Sequence, residues 1–233
     1  MTSEAAAMSE NIKDRLKASY DAVASTYNEW TIPHSQQRIK YLDKALEYLD
    51  LKSDPEKKSP TFLELGCGCG LPITKKLLET HPSAKVIAND LSTTQISIAK
   101  ENLISGPEDE VAKRLELIPG DMSALTFPNE SLDLVVAFYS IIHLPRVEQT
   151  ALLGRIAQWL KPGGYFVANF SAEEAEAIVM DKWLEDKDWM FWSGWGQAKT
   201  LETMKEAGLE VRVASVDKDV VDGVSFLWTV ANR

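Results

Sequence analysis

The chain has 233 residues, 45% of them hydrophobic and 26% charged, a composition that fills a sizeable core and suits one α/β domain. Its formal charge is −10 and no basic stretch exceeds two residues, which argues against DNA or RNA as a partner, because phosphate binding needs a cationic surface. No apolar run approaches the roughly 20 residues of a membrane span. The acidic, Ala-rich residues 1–10 lack the marks of a secretory signal. Two cysteines, Cys67 and Cys69, exclude a disulfide framework or a Cys-rich zinc site and fit a cytoplasmic protein.

In chain order, residues 1–10 read as a disordered tail. Ile12, Leu16, Tyr20, Val23 and Tyr27, and then Ile39, Leu42, Leu46 and Leu49, recur at spacings of three and four, which predicts two amphipathic helices within 11–52. The polar stretch 52–60 holds two prolines and reads as a linker. Beyond it, strands and helices alternate. Strands are expected at Thr61–Leu65, Lys85–Asn89, Arg114–Ile118, Leu132–Tyr139 and Tyr165–Phe170. Helices are expected at Leu71–Thr80 with Pro72 in the first turn, from Ser92 with a Ser92/Gln95 capping box, and after Pro145. The last of these should bury Val147, Leu152, Ile156 and Trp159, and Lys161–Gly164 should form a turn. Such alternation predicts an α/β fold with a mostly parallel sheet covered on both faces. Glu210–Val216 and Val224–Ala231 are joined too briefly for a helical crossover and should pair antiparallel.

Ligands of such sheets sit beyond the carboxyl ends of the strands. The first strand runs into Glu64-Leu-Gly66-Cys67-Gly68-Cys69-Gly70, where alternate glycines allow a sharp turn and close approach of a ligand. The spacing G-x-G-x-G, preceded by an acid, differs from the G-x-G-x-x-G of dinucleotide binders and suits a ligand with a ribose and a cationic tail. Asp90, ending the second strand, can accept from both ribose hydroxyls or simply cap the next helix. Asp121 and Met122, after the third, can take an adenine amino group and pack on its ring.

On these residues the chain resembles the class I S-adenosylmethionine (SAM)-dependent methyltransferases of small-molecule type, over about residues 60–170. Glu64–Gly70 resembles the family's first motif, Gly120-Asp121-Met122 its adenine-binding motif, Asp133–Phe138 its fourth strand and Leu160–Gly164 the turn before strand five. The resemblance implies a Rossmann-like, seven-stranded, mostly parallel sheet over 60–233 with an antiparallel last strand. It also implies SAM as cofactor, and an N-terminal helical lid over 11–52. By the same resemblance Tyr20, Tyr27, Glu64, Gly66, Cys67, Gly68, Asp90, Leu91, Gln95, Asp121, Met122 and Phe138 are the candidate cofactor contacts.

His143, just past the fourth strand, is the candidate base for a hydroxyl acceptor, or else a residue that braces the loop and lines the site. Tyr139 and Ser140 either line the acceptor site or finish the strand. An insertion at about 172–197 carries Trp183, Trp189, Trp192 and Trp195, which form an aromatic wall of an apolar acceptor site or an ordinary core helix. Trp183, Trp189 and Trp192 are the acceptor-site candidates. His34 and His81 read as surface residues, and no His/carboxylate spacing suggests a metal.

Methyl transfer to a small apolar or aromatic metabolite, at oxygen rather than nitrogen or carbon, is therefore the expected activity. A SAM-binding pericyclase-like enzyme and a cofactor-bound partner subunit are the alternatives. A nicotinamide reductase is disfavoured by the loop spacing and by the lack of a Tyr-x-x-x-Lys pair. The sequence leaves the oligomeric state open.

Overall fold

A computed structural model describes residues 3–49, 59–106, 108–219 and 221–233, with side chains from 11 onward. Most of the linker expected over 52–60 lies outside the described residues. The elements are α1 (Ser3–Trp30), α2 (Ser35–Leu49), β1 (Thr61–Leu65), α3 (Ile73–Thr80), β2 (Lys85–Asp90), α4 (Thr93–Leu103), β3 (Leu115–Pro119), β4 (Leu132–Ala137), α5 (Arg146–Trp159), β5 (Leu160–Ser171), β6 (Glu174–Asp181), β7 (Trp189–Trp195), α6 (Gly196–Glu206), β8 (Glu210–Lys218) and β9 (Ser225–Asn232).

The main sheet has seven strands in the order β3-β2-β1-β4-β5-β9-β8. β1 to β5 run parallel, while β9 is antiparallel to both β5 and β8, as the short gap before it requires. The order reverses between β1 and β4, so the cleft opens where the loops after these two strands diverge. β4, Leu-Asp-Leu-Val-Val-Ala, is buried along its whole length, which is what a central parallel strand covered on both faces demands. One core layer packs α5 and α6 against the sheet through Leu152, Ile156, Met204 and Phe166; the other packs α2, α3 and α4 through Leu42, Leu77, Ala99 and Phe62.

Several local expectations need correction. The backbone of α1 is helical from Ser3, so the stretch read as a disordered tail continues the helix; Ala5-Ala6-Ala7 favour that conformation. Pro72 caps α3 instead of entering its first turn. Lys161–Gly164 is an irregularity within β5, not a separate turn. In α5, Val147 is 61% exposed, and Glu148 and Gln149 are buried instead. Both have partners there: Gln149 Nε2 donates to Leu144 O and Ser193 O, and Glu148 pairs with Lys13 at 2.6 Å.

The Trp-rich insertion is neither a helix nor a loop but a two-stranded hairpin, β6–β7, outside the main sheet. Its strand β7 packs on α1, where Leu16 meets Trp189, Met190 and Phe191. Hairpin and α1 together roof the carboxyl ends of the strands.

Candidate cofactor cleft and acceptor cavity

The loop after β1 is held by backbone geometry. Gly66 adopts φ +77°, and a Cβ on it would lie 2.4 Å from Ser140 Cβ, so the loops after β1 and β4 approach more closely than any side chain permits. Asp90 fixes the same loop from β2. Its carboxylate accepts from Gly68 N (2.8 Å) and from Ser92 N (2.9 Å), and burial pushes its pKa up to about 6. Ser92 Oγ accepts from Gln95 N at 3.0 Å, which caps α4. The reciprocal half of the expected capping box does not form: Gln95 is 1% exposed, and neither its Oε1 nor its Nε2 has a hydrogen-bond partner.

These groups surround a cleft with about 840 Å³ of empty space, part of it open to solvent. Its wall holds Gly66, Cys67, Gly68, Asp90, Leu91, Gln95, Asp121, Met122 and Phe138, with Tyr20 and Tyr27 from α1, so eleven of the twelve cofactor candidates come together. Glu64 does not reach this wall. It is buried beneath the loop, bonded to the Thr74 hydroxyl, and burial pushes its pKa up to about 8. Asp121 is on the wall but engaged, its Oδ2 lying 2.7 Å from Lys13 Nζ. Ser140 is also on this wall, with an unpartnered Oγ.

A raised folded-state pKa means that Glu64 favours the folded chain while protonated, and that this contribution disappears as pH rises through 8. Asp90, at about 6, acts in the same direction lower down, whereas His143, held at about 4 by burial, acts oppositely and only below its ordinary pKa. Between pH 6.5 and 8.5 the ligand-free protein should therefore lose thermal stability, and Glu64→Gln should flatten that decline. A melting series in matched buffers checks this; equal slopes for both proteins would refute it.

Against the cleft lies a second, aromatic cavity with about 1090 Å³ of empty space. Tyr20, Tyr27, Thr31, Tyr139 and His143 line both spaces. Trp30, Trp183, Trp192 and Phe226 supply most of the remaining aromatic wall. Of the acceptor-site candidates, Tyr139, His143, Trp183 and Trp192 reach this cavity, and Ser140 faces only the cleft. Trp189 reaches neither space; its ring lies under the Arg15 guanidinium at 3.8 Å.

His143 is fully engaged. Its Nδ1 lies 2.8 Å from Phe191 O, and a carbonyl only accepts, so Nδ1 carries the proton. Nε2 is then an acceptor, and Tyr20 donates its hydroxyl to it at 2.9 Å. Burial raises the Tyr20 pKa well above its ordinary value, keeping that donor protonated.

Sequence reasoning missed Lys13, Asn28, Thr31 and Arg38 on the cleft, and Trp30 and His34 on the cavity. Lys13 was within reach, since it precedes Leu16 and Tyr20 on the same helical face. His34 is not a surface residue: it is 2% exposed and paired with Asp219. His81 is half-buried, its ring 5.4 Å from that of Phe62. No cluster that could hold a metal ion occurs among the described residues, and none of their helices is long and apolar enough to cross a membrane.

A switch-point cleft with a glycine loop, a strand-end carboxylate and an adjoining aromatic cavity defines a class I SAM-dependent methyltransferase site. Residues 62–164, just under half of the chain, match the sequence model of a methyltransferase domain, and the chain carries a domain of this class. It is 29% identical over 212 residues to an uncharacterized methyltransferase of Bacillus cereus, covering 91% of this chain and 84% of that one. It is 30% identical over 110 residues to the sterol 24-C-methyltransferase erg-4 of Neurospora crassa, covering 47% of this chain but 27% of that enzyme. Three further curated relatives are likewise spanned over less than half their length. Among solved structures, the DhpI–SAH complex shares the fold, with a TM-score of 0.67 at 21% identity over 96% of this chain and 98% of that one. SAM is the cofactor of this class, and the cleft fits it: Gln95 and Ser140 leave buried polar atoms unpartnered, and Gly66 leaves no room for a side chain.

Proposed function

We propose that the protein methylates a hydroxyl group of a small apolar or aromatic metabolite, using SAM. The observation that carries this reading is the aromatic cavity that shares five wall residues with the cofactor cleft. An aromatic wall of this kind, with few polar groups, suits a small apolar ligand. A formal charge of −10 favours such a ligand over a nucleic acid. Two free, buried cysteines accord with a cytoplasmic setting.

SAM supplies a methyl group on a sulfonium, a leaving group that needs no further activation. Asp90 and Gln95 would hold its polar portions, and Met122 and Leu91 its adenine. The chain's task is then to hold the acceptor in line and to exclude water, the proximity contribution being worth up to about 7–11 kcal/mol. Tyr20, Tyr27 and Trp183 close the space from the α1 and hairpin side. His143 serves here as a wall residue that fixes the Tyr20 hydroxyl at the junction of the two spaces; with its Nε2 occupied and its pKa near 4, it is a poor base.

Incubation with SAM and a panel of phenols, enols, carboxylic acids and amines, followed by S-adenosylhomocysteine release and product mass, tests this reading. Hydroxyl compounds with aromatic or apolar bodies should be methylated, and Tyr20→Phe should slow turnover about tenfold, one neutral hydrogen bond at the junction being lost. A second reading, a non-methylating pericyclase-like enzyme, draws on the same occupied His143, whose two ring nitrogens are both engaged. It gains if aromatic ligands bind the SAM-loaded protein and none yields S-adenosylhomocysteine.

A further inference from the structure

His34 lies in the short helical turn Ile32–His34 between α1 and α2, on the wall of the aromatic cavity. Its Nε2 is 3.1 Å from Asp219 Oδ1, and the two side chains are 2% and 3% exposed. Asp219, just past β8, also accepts from Tyr139 Oη at 2.9 Å and from Val221 N at 2.8 Å, so its carboxylate is fixed from three sides. A carboxylate offers only lone pairs, which places the His34 proton on Nε2. Burial, the largest influence, holds the imidazole below its ordinary pKa despite the nearby Asp219, so the ring is neutral near pH 7.

Nδ1 is thereby left as a bare acceptor, and it is one of the buried polar atoms without a hydrogen-bond partner. Trp30 lies tilted against the ring at 4.4 Å and Tyr139 meets it edge-on at 5.6 Å, so the imidazole cannot swing to another partner without disturbing both. A buried acceptor held this firmly and left unsatisfied costs stability unless a ligand or water meets it.

We infer that His34, oriented by Asp219, is the residue that selects hydroxyl-bearing aromatic ligands in this cavity, its Nδ1 accepting a hydrogen bond from the ligand's O–H. This rests on the reading of the aromatic cavity as the acceptor site and adds to it the group that is recognised. The chemical class is a phenol or enol on an apolar ring system; a methyl ether of the same shape lacks the donor and leaves Nδ1 unpaired. Asp219 is the positioning residue, since it fixes which ring nitrogen carries the proton.

The test uses the protein saturated with S-adenosylhomocysteine, so that no methyl transfer intervenes. 1-Naphthol and 1-methoxynaphthalene are titrated in turn, and binding is read from quenching of tryptophan fluorescence and by calorimetry. The wild type should bind the naphthol about tenfold more tightly than the ether. His34→Phe, which keeps a ring against Trp30, should bring the ratio close to one. The double variant His34→Phe/Asp219→Asn should do the same without leaving a buried carboxylate unpaired, and so guards against misfolding of the single variant. S-adenosylhomocysteine affinity should stay unchanged in His34→Phe, because His34 is not on the cofactor wall. A wild-type ratio near one overturns the inference while sparing the acceptor-site reading. A ratio retained in the variants, with both affinities lowered together, also overturns it and assigns His34 a purely structural role. Binding of neither compound, with the cofactor still bound, removes the acceptor-site reading itself.

Discussion

Replacing Asp90 by alanine is expected to weaken SAM binding about 100-fold. The carboxylate is anchored by the Gly68 and Ser92 backbone amides, and its remaining lone pairs would be the ones to accept from the ribose hydroxyls. Charge-assisted hydrogen bonds of this type are worth about 1.5–3 kcal/mol, and losing one or two of them corresponds to a change of that order. The loop suffers too, because two amide donors lose their acceptor. Asp90→Asn keeps the shape and removes the charge, so a fall of about tenfold is expected. The same carboxylate gives a pH signature: with its pKa near 6, wild-type affinity should decline as pH falls through that value, and Asp90→Asn should not show the decline. Isothermal titration from pH 5 to pH 8 measures both. An alanine variant within threefold of wild type would exclude Asp90 from the cofactor site.

Trp228→Ala should be the most damaging core substitution, at about 3–5 kcal/mol. Trp228 is 1% exposed in β9, stacked on Tyr41 of α2 at 4.7 Å and touching Phe138 at 5.4 Å and Tyr139 at 5.6 Å. One ring thus joins the antiparallel edge of the sheet, the second helix and the loop after β4. Urea denaturation should show a lower midpoint, and the variant should also bind SAM less well, since Phe138 and Tyr139 lie on the cleft wall. Trp228→Phe should recover most of both. Loss of stability with fully retained cofactor affinity would show that the ring supports the core without shaping the cleft.

The parallel half of the sheet and the cofactor loop were legible in the sequence because they depend on local signals. β4 is an unbroken apolar run, Gly66 stands where a side chain cannot, and Ser92 caps a helix three residues before its bonded amide. The acceptor side was less legible. Trp189 and Trp192 are three residues apart, which suggests one face of a helix, yet in a strand residues at odd separation point to opposite faces. Trp192 therefore lines the cavity and Trp189 turns toward Arg15. His34, beside Pro33, looks like a loop residue until β8 brings Asp219 to it from the far end of the chain. Val147 was misjudged for the same reason: the burial of Glu148 depends on Lys13, which is remote in sequence. What local periodicity cannot show is a polar group whose partner arrives through tertiary contact.

The roof over the strand ends is made by two segments that lie outside the matched methyltransferase domain, α1 and the β6–β7 hairpin, and these pack directly on each other through Leu16, Trp189, Met190 and Phe191. Divergence of the roof would then require two segments to change in concert. A substitution at Leu16 would demand an answering one in the hairpin, while the sheet and its glycine loop could persist unaltered beneath. Grafting either segment alone onto a related sheet should yield a mismatched seam, whereas exchanging both together should keep the packed roof intact.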